Sequence, residues 1–265
     1  MPTVQDIYGL LDEKYPYALQ EGFDNSGIMV DCGKEIHKVI ISLDITCAVV
    51  DYAASMGAEL IVSHHPVIFH PLRHITQDSV ILALATAGIS AISAHTNFDI
   101  AAGGVNDCLT SRLDLHDCQP VFKVSECVIN GVKQENFIGR AGMLPEAMSP
   151  ESFACYVGEK LLGHHMMAYV DGGRPVRKVA VGGGACGEYI VECVKEGIDA
   201  FVTGEAKHHE LLFAAAHGIT LVPAGHYATE AVSLDKLSDT LREGFPSLQT
   251  EITYRDNPLR YTGGR

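Results

Sequence analysis

Three short stretches of the chain carry side chains able to hold a metal ion or move a proton. Ser63-His64-His65-Pro66 sets two imidazoles side by side, and His95 and His226 are each followed four residues later by a carboxylate, Asp99 and Glu230. That spacing brings imidazole and carboxylate to one face wherever the chain is helical. Taken singly each signal is weak: an isolated histidine pair more often caps a loop and meets solvent, and a His-x3-carboxylate is usually a solvated helix pair. Other candidates stand at the edge of this set. Glu205, in Thr203-Gly204-Glu205-Ala206-Lys207-His208-His209, reads first as the acidic opening turn of a helix running to Ala216, and second as a base or outer partner in a cleft. His208 and His209 read as rim or outer-shell residues, and His164-His165 as surface. Gly182-Gly183-Gly184 opens a loop whose amides could cradle an anion, but it matches neither a Walker loop nor a dinucleotide fingerprint, and close backbone approach explains the glycines equally well.

The elements that position these residues are written twice. Lys38 to Ser63 aligns with Lys178 to Thr203 at a constant offset of 140, each copy a β-branched run, a helix ending at glycine (Gly57, Gly197) and a second apolar run. This is the strand-helix-strand crossover of an α/β sheet. Leu82 to Asp99 then resembles Leu212 to Glu230, with one residue inserted before His226. The reading is therefore two duplicated α/β repeats, roughly 1–115 and 175–265. Between them a connector, 116–174, has β-like stretches (Val121 to Ile129, Phe137 to Met143), turns at Asn130-Gly131 and Leu144-Pro145, and a helix near Glu151 to Leu162. Ser63-His64-His65-Pro66 sits where a strand ends, the edge at which α/β sheets gather ligands.

Duplication changes the weight of the histidines. Two related halves packed about a pseudo-two-fold axis would set His95 and Asp99 opposite His226 and Glu230, with His64 and His65 added from the first half alone. The site must be asymmetric, because His64 and His65 align with Gly204 and Glu205. Four imidazoles and two carboxylates exceed one tetrahedral zinc and suit two ions sharing a bridging carboxylate and water. Mixed nitrogen and oxygen donors favour zinc, iron, manganese, cobalt or nickel over calcium or magnesium.

Composition agrees. Histidines number 13 in 265 residues, and 33 acidic against 19 basic side chains give a formal charge of -14, which argues against DNA as a partner. No pair among the eight cysteines has CxxC spacing, the first residues lack the basic and apolar regions of a secretory signal, and the weakly polar run Val80 to Ala94 is too short to span a membrane. A cytoplasmic protein is expected.

Phe23-Asp24-Asn25-Ser26-Gly27-Ile28, Ser42-Leu43-Asp44-Ile45-Thr46, Ser63-His64-His65-Pro66, His95-Thr96-Asn97-Phe98-Asp99, Val202-Thr203-Gly204-Glu205 and Gly225-His226-Tyr227-Ala228-Thr229-Glu230 together resemble the Nif-three-like dinuclear metal centre family, also catalogued as GTP cyclohydrolase one type two. The resemblance implies two intertwined α/β repeats, a hexameric ring with metal sites facing an internal cavity, and His64, His65, His95, Asp99, His226 and Glu230 as ligands of two metals. It implies hydrolytic opening of the guanine imidazole ring of GTP by a metal-bridging water. A non-catalytic ring acting on metal, nucleotide or protein partners, and a dinuclear phosphoesterase, are the alternatives. The connector is too short for the large inserted domain of some relatives. Phe23 stands where many of them have tryptophan, and Glu205 and His208 where aspartate and tyrosine are frequent, which bears on the cavity lining and substrate choice.

Overall fold

The computed structural model describes residues 1–129 and 131–258. In chain order its elements are α1 (Val4–Lys14), β1 (Gly27–Val30), β2 (Lys38–Ser42), α2 (Cys47–Ser55), β3 (Leu60–Ser63), α3 (Val80–Ala87), β4 (Ser90–Ser93), α4 (Thr96–Ile100), α5 (Val105–Arg112), β5 (His116–Ile129), β6 (Val132–Met148), α6 (Pro150–Leu162), β7 (Val176–Gly182), α7 (Ile190–Lys195), β8 (Ala200–Thr203), α8 (His208–His217), β9 (Thr220–Pro223), α9 (His226–Glu230), α10 (Leu234–Gly244) and β10 (Gln249–Ile252). They form two units. The first holds Met1–Ala102, Glu126–Gln134 and the segment beginning at Leu234, around a sheet of order β1-β4-β3-β2-β10. The second holds Gly103–Ser125 and Glu135–Ser233, around a sheet of order β5-β6-β7-β8-β9.

The duplication is carried down to single hydrogen bonds. In the first unit Val39 pairs with Leu60 and the Glu59 carboxylate accepts the N–H groups of His37 and Lys38; in the second Val179 pairs with Ala200 and Asp199 accepts those of Arg177 and Lys178. Gly88 and Gly218 end α3 and α8 in the left-handed conformation, at φ of 64° and 66°, where a side chain would be strained. The match also reaches upstream of position 175: Asp31 and Asp171 each accept the N–H two residues on, from Gly33 and Gly173, both at φ of 69°.

The core follows from alternation. In β7, β8 and β9, Val179, Val181, Ala200, Val202 and Val222 face one cluster with Leu109 of α5, Leu113 just after that helix, and Phe153 and Val157 of α6, while Ala180, Phe201 and Leu221 face another with Ile190 and Cys193 of α7 and Ala214 of α8. Strands covered on both faces read as continuous apolar runs, which is how they look in the sequence. In the first unit Ile40, Ile61 and Ala91 pack against Val49, Val50 and Ala53 of α2 and Leu84 of α3.

The expected boundaries at 115 and 175 do not hold. Strand β10 pairs in parallel with β2, Gln249 against Lys38 through Ile252 against Ile41, so the end of the chain completes the first sheet and not the second. Conversely α5, the last helix of the first repeat, packs its Leu109, with Leu113 just after it, into the second unit's core. Each repeat thus gives its last helix to the other unit, and this exchange is the intertwining that the resemblance implied. The connector is no separate layer: β5 and β6 are strands of the second sheet and α6 covers it. The expected turn at Leu144-Pro145 is absent because β6 runs on to Met148, its pairing with β7 irregular between Met143 and Met148, where the proline's missing N–H is tolerated. At the other expected turn, Asn130 lies outside the described residues. Among the described residues no helix is long and apolar enough to cross a membrane.

Candidate metal centre

His64 and His65 follow directly on β3, whose parallel neighbours β2 and β4 fix where the strand stops at Ser63. His64 is fully buried, with Nδ1 2.8 Å from the Ala94 carbonyl oxygen and Nε2 3.7 Å from Asp99 Oδ1. His65 is partly exposed, its Nδ1 2.9 Å from Asp44 Oδ1. His95 stands at the N-cap of α4, where the Asp99 N–H donates to its carbonyl, so both residues lie on one helical turn. Its Nδ1 is 2.8 Å from Asp24 Oδ1. The three ring centroids are 5.0, 5.2 and 5.5 Å apart, and each ring offers a nitrogen within 4.8 Å of the others, a grouping that one ion could draw together.

Asp24 is tied down on every side. Its side chain is fully covered, and it accepts from the backbone N–H and hydroxyl of Thr96, the hydroxyl of Ser26 and His95. Burial works against its charge, but the hydrogen bonds from His95, Thr96 and Ser26 outweigh it and hold the carboxyl well below the usual carboxylate range. Asp44 is positioned from the chain's far end, because Asp256 accepts the N–H groups of Leu43 and Asp44 at 2.9 and 2.8 Å.

In the second unit His226 opens α9 and Glu230 closes it, with Nε2 3.1 Å from Glu230 Oε2 and Nδ1 2.8 Å from Glu205 Oε1. Glu230 is buried and Glu205 exposed. Helix α8 begins at His208, so Glu205 is not in its first turn; it stands in the loop after β8 as the partner of His226. Lys207 caps that helix with Glu210, and His208 and His209 are exposed on its first turn, with no described hydrogen bond to the ligand candidates. His164 is half-buried and only His165 is exposed, so the pair is not wholly surface.

The glycine loop is settled by its neighbours. The Gly183 N–H donates to Asn106 Oδ1 and the Gly184 N–H to Thr229 Oγ1, so these amides are not offered to an anion. A Cβ at Gly184 would lie 2.2 Å from Glu230 Oε1, and one at Gly204 would lie 2.7 Å from the His226 Cα. Close approach, the plainer reading, is the reason for both glycines. It also explains the asymmetry, since a histidine at 204 to match His64 would displace α9. Gly225, the inserted residue, has φ of 94° and donates its N–H to Gly204, closing the same contact.

All four imidazoles therefore present Nδ1 to an oxygen that accepts its proton, and Nε2 lies on the far side of each ring, facing a second carboxylate in His64 (Asp99, 3.7 Å) and in His226 (Glu230, 3.1 Å), contacts that a bound cation or a second ring proton satisfies. With the buried carboxylate of Asp99 beside His64, the His64-His65-His95 grouping is a mixed nitrogen and oxygen donor set of the kind that suits a transition metal, and Glu230 beside His226 is a buried carboxylate of the same kind.

A profile of Duf34/NIF3 (NGG1p interacting factor 3) matches residues 2–258. The chain belongs to the DUF34/NIF3 family. A Clostridium perfringens protein called GTP cyclohydrolase 1 type 2 homolog is 31% identical over 249 residues, covering 92% of this chain and 93% of its own. A Campylobacter jejuni protein of the same name is 30% identical over 265 residues, covering 97% and 99%. Among solved structures, a Staphylococcus aureus hypothetical protein superposes with a TM-score of 0.90 at 27% identity, over 98% of this chain and 99% of its own. Reduced HcgD from Methanocaldococcus jannaschii does so with 0.78 at 27%, over 95% and 97%.

The sequence singled out all six ligand candidates of this DUF34/NIF3 chain but gave Asp24 and Asp44 no role. They are 71 and 21 residues from the rings they hold, and no periodic spacing links them.

Proposed function

We propose that His64, His65, His95, Asp99, His226 and Glu230 are the ligands of two metal ions, and that the metal-loaded protein hydrolyses a nucleotide, GTP by family resemblance. The observation that carries the reading is the common setting of the four imidazoles, each with Nδ1 held by a backbone or carboxylate oxygen, so that Nε2 is the nitrogen each would offer to a metal. Two bound divalent ions would supply an acidified water and a Lewis acid at the atom attacked. The chain's own residues orient the donors: Ala94, Asp44, Asp24 and Glu205 fix the rings. At the rim, Phe69 has its ring centroid 6.1 Å from that of His95 and 6.3 Å from that of Phe23, and both phenylalanines are exposed. Rings of this kind favour a flat heteroaromatic substrate over a purely ionic one. A hexameric ring, in a reducing cytoplasm suited to eight free thiols, completes the proposal.

The test is to purify the protein without added metal, quantify bound metals, determine its mass in solution, and screen nucleotides while following formate and phosphate. Two metals per chain with formate released from GTP is the expected result. Phosphate without formate would move the reading to a phosphoesterase. No turnover on a broad hydrolase panel, with a partner bound regardless of metal, would replace the enzyme by a binding ring.

A further inference from the structure

We infer that Asp24 and Glu205 are matched positioning residues, which set the equivalent imidazoles His95 and His226 to receive metal through Nε2 from two different places in the duplicated fold. The inference rests on the metal-centre reading and adds residues to it. His95 and His226 are counterparts, His95 capping the short α4 that contains Asp99 and His226 opening the short α9 that ends in Glu230. Their Nδ1 partners are not counterparts. Asp24 comes from the loop before β1, whereas position 164, which lies at the repeat offset from it, is a histidine. Glu205 comes from the loop after β8 and aligns with His65, itself a ligand candidate. The second repeat has thus given up an imidazole and gained the carboxylate that orients His226. The first repeat keeps the imidazole and brings its carboxylate from upstream. The loop between β7 and α7 had no room for one, because Gly184, the counterpart of Asp44, has Glu230 against it.

The two partners are unequal in strength. Asp24 is fully covered and, besides His95, accepts from Thr96, Ser26 and the Asn25 N–H, whereas the Glu205 side chain is 62% exposed. A covered, multiply bonded carboxylate holds a ring more firmly than one in solvent, where water competes for the same proton. Loss of Asp24 should therefore weaken the centre more than loss of Glu205.

The experiment has two independent readouts. In metal-free wild-type protein at pH 8, long-range proton-nitrogen correlation reports which ring nitrogen carries the proton. His95 and His226 should both carry a proton at Nδ1, and either ring lacking a proton at Nδ1 would overturn the inference. Cobalt titration against a competing chelator then compares wild type with Asp24→Asn and Glu205→Gln. Each variant should bind more weakly, Asp24→Asn by about 10–100-fold and Glu205→Gln by less, with altered visible bands that a merely structural lesion would leave unchanged. Glu205 is exposed, so Glu205→Gln should keep the wild-type melting temperature without metal. Wild-type affinity and bands in both variants would overturn the inference. Failure of the metal centre itself shows separately, as absence of cobalt binding by wild type, while the tautomers of the metal-free rings still decide the positioning.

Discussion

Glu59 sits at the start of β3 with one carboxylate oxygen 3.0 Å from each of two backbone nitrogens, those of His37 and Lys38. Burial disfavours its charge, yet the donated N–H groups prevail and its carboxyl is held below the ordinary value. A carboxyl lowered in the folded state stabilises it above the unfolded value, roughly 4.3, and that contribution disappears as pH falls through the folded value. Glu59→Gln should therefore lower stability at pH 7 by about 1–2 kcal/mol. The gap between variant and wild type in urea unfolding should close below about pH 4; a gap constant down to pH 3 would remove the carboxylate's charge from the account. The same residue marks the limit of what the sequence makes legible. Its counterpart Asp199 lies at the offset of 140, so the repeat is visible in the alignment, but that both acids serve backbone N–H groups is not. Ligand types and their spacing can be read from one dimension. Asp24 beneath His95 cannot, because the contact exists only once β1 lies antiparallel to β4, with Gly27 opposite Ser93.

At the scale of elements, β8 and α9 approach through glycine. A Cβ at Gly204 would lie 2.5 Å from the Gly184 carbonyl oxygen, 2.7 Å from the His226 Cα and 2.9 Å from Thr229 Oγ1. Backbone atoms cannot swing aside as a side chain would, so Gly204→Ala must push α9 off the end of β8. An overpacking cost of about 2 kcal/mol or more is expected. His226 moves with the helix, so cobalt affinity should fall alongside the urea midpoint; an intact midpoint with intact cobalt binding would mean that α9 is not held there. Gly9, exposed in the middle of α1, is the opposite case, since a Cβ there would meet nothing within 4 Å and its φ is not positive. Gly9→Ala should raise stability by about 0.5–1 kcal/mol, read from the same urea curves. Helix periods and glycine stops were legible from sequence. The steric reason that position 204 differs from His64 was not, since it depends on which helix lies against the strand end.

At the scale of the whole chain, the exchange of final helices has a consequence for truncation. Read in order, α10 and β10 look like the continuation of the second repeat, and cutting before Leu234 would appear to spare the first. In the structure that cut removes the edge strand beside β2, the buried Leu234, Leu237 and Leu241 of α10, and Asp256. Asp256 receives the amides of Leu43 and Asp44, and Asp44 holds the ring of His65. A chain ending at Ser233 should therefore lose amide protection in β2 and β3, which are remote in sequence, and, on the proposed metal-centre reading, bind cobalt more weakly. Strands β7 and β8, flanked by β6 and β9, should stay protected for longer. Hydrogen exchange read by mass spectrometry separates the two patterns. Protection lost first in β7 and β8 would return the end of the chain to the second repeat. Asp256→Asn isolates the last link, because it leaves β10 in place. Its expected outcome is a wild-type exchange pattern in the strands, with faster exchange at Leu43 and Asp44 and weaker metal binding. Unchanged exchange at those two amides would show that the anchor does not hold them.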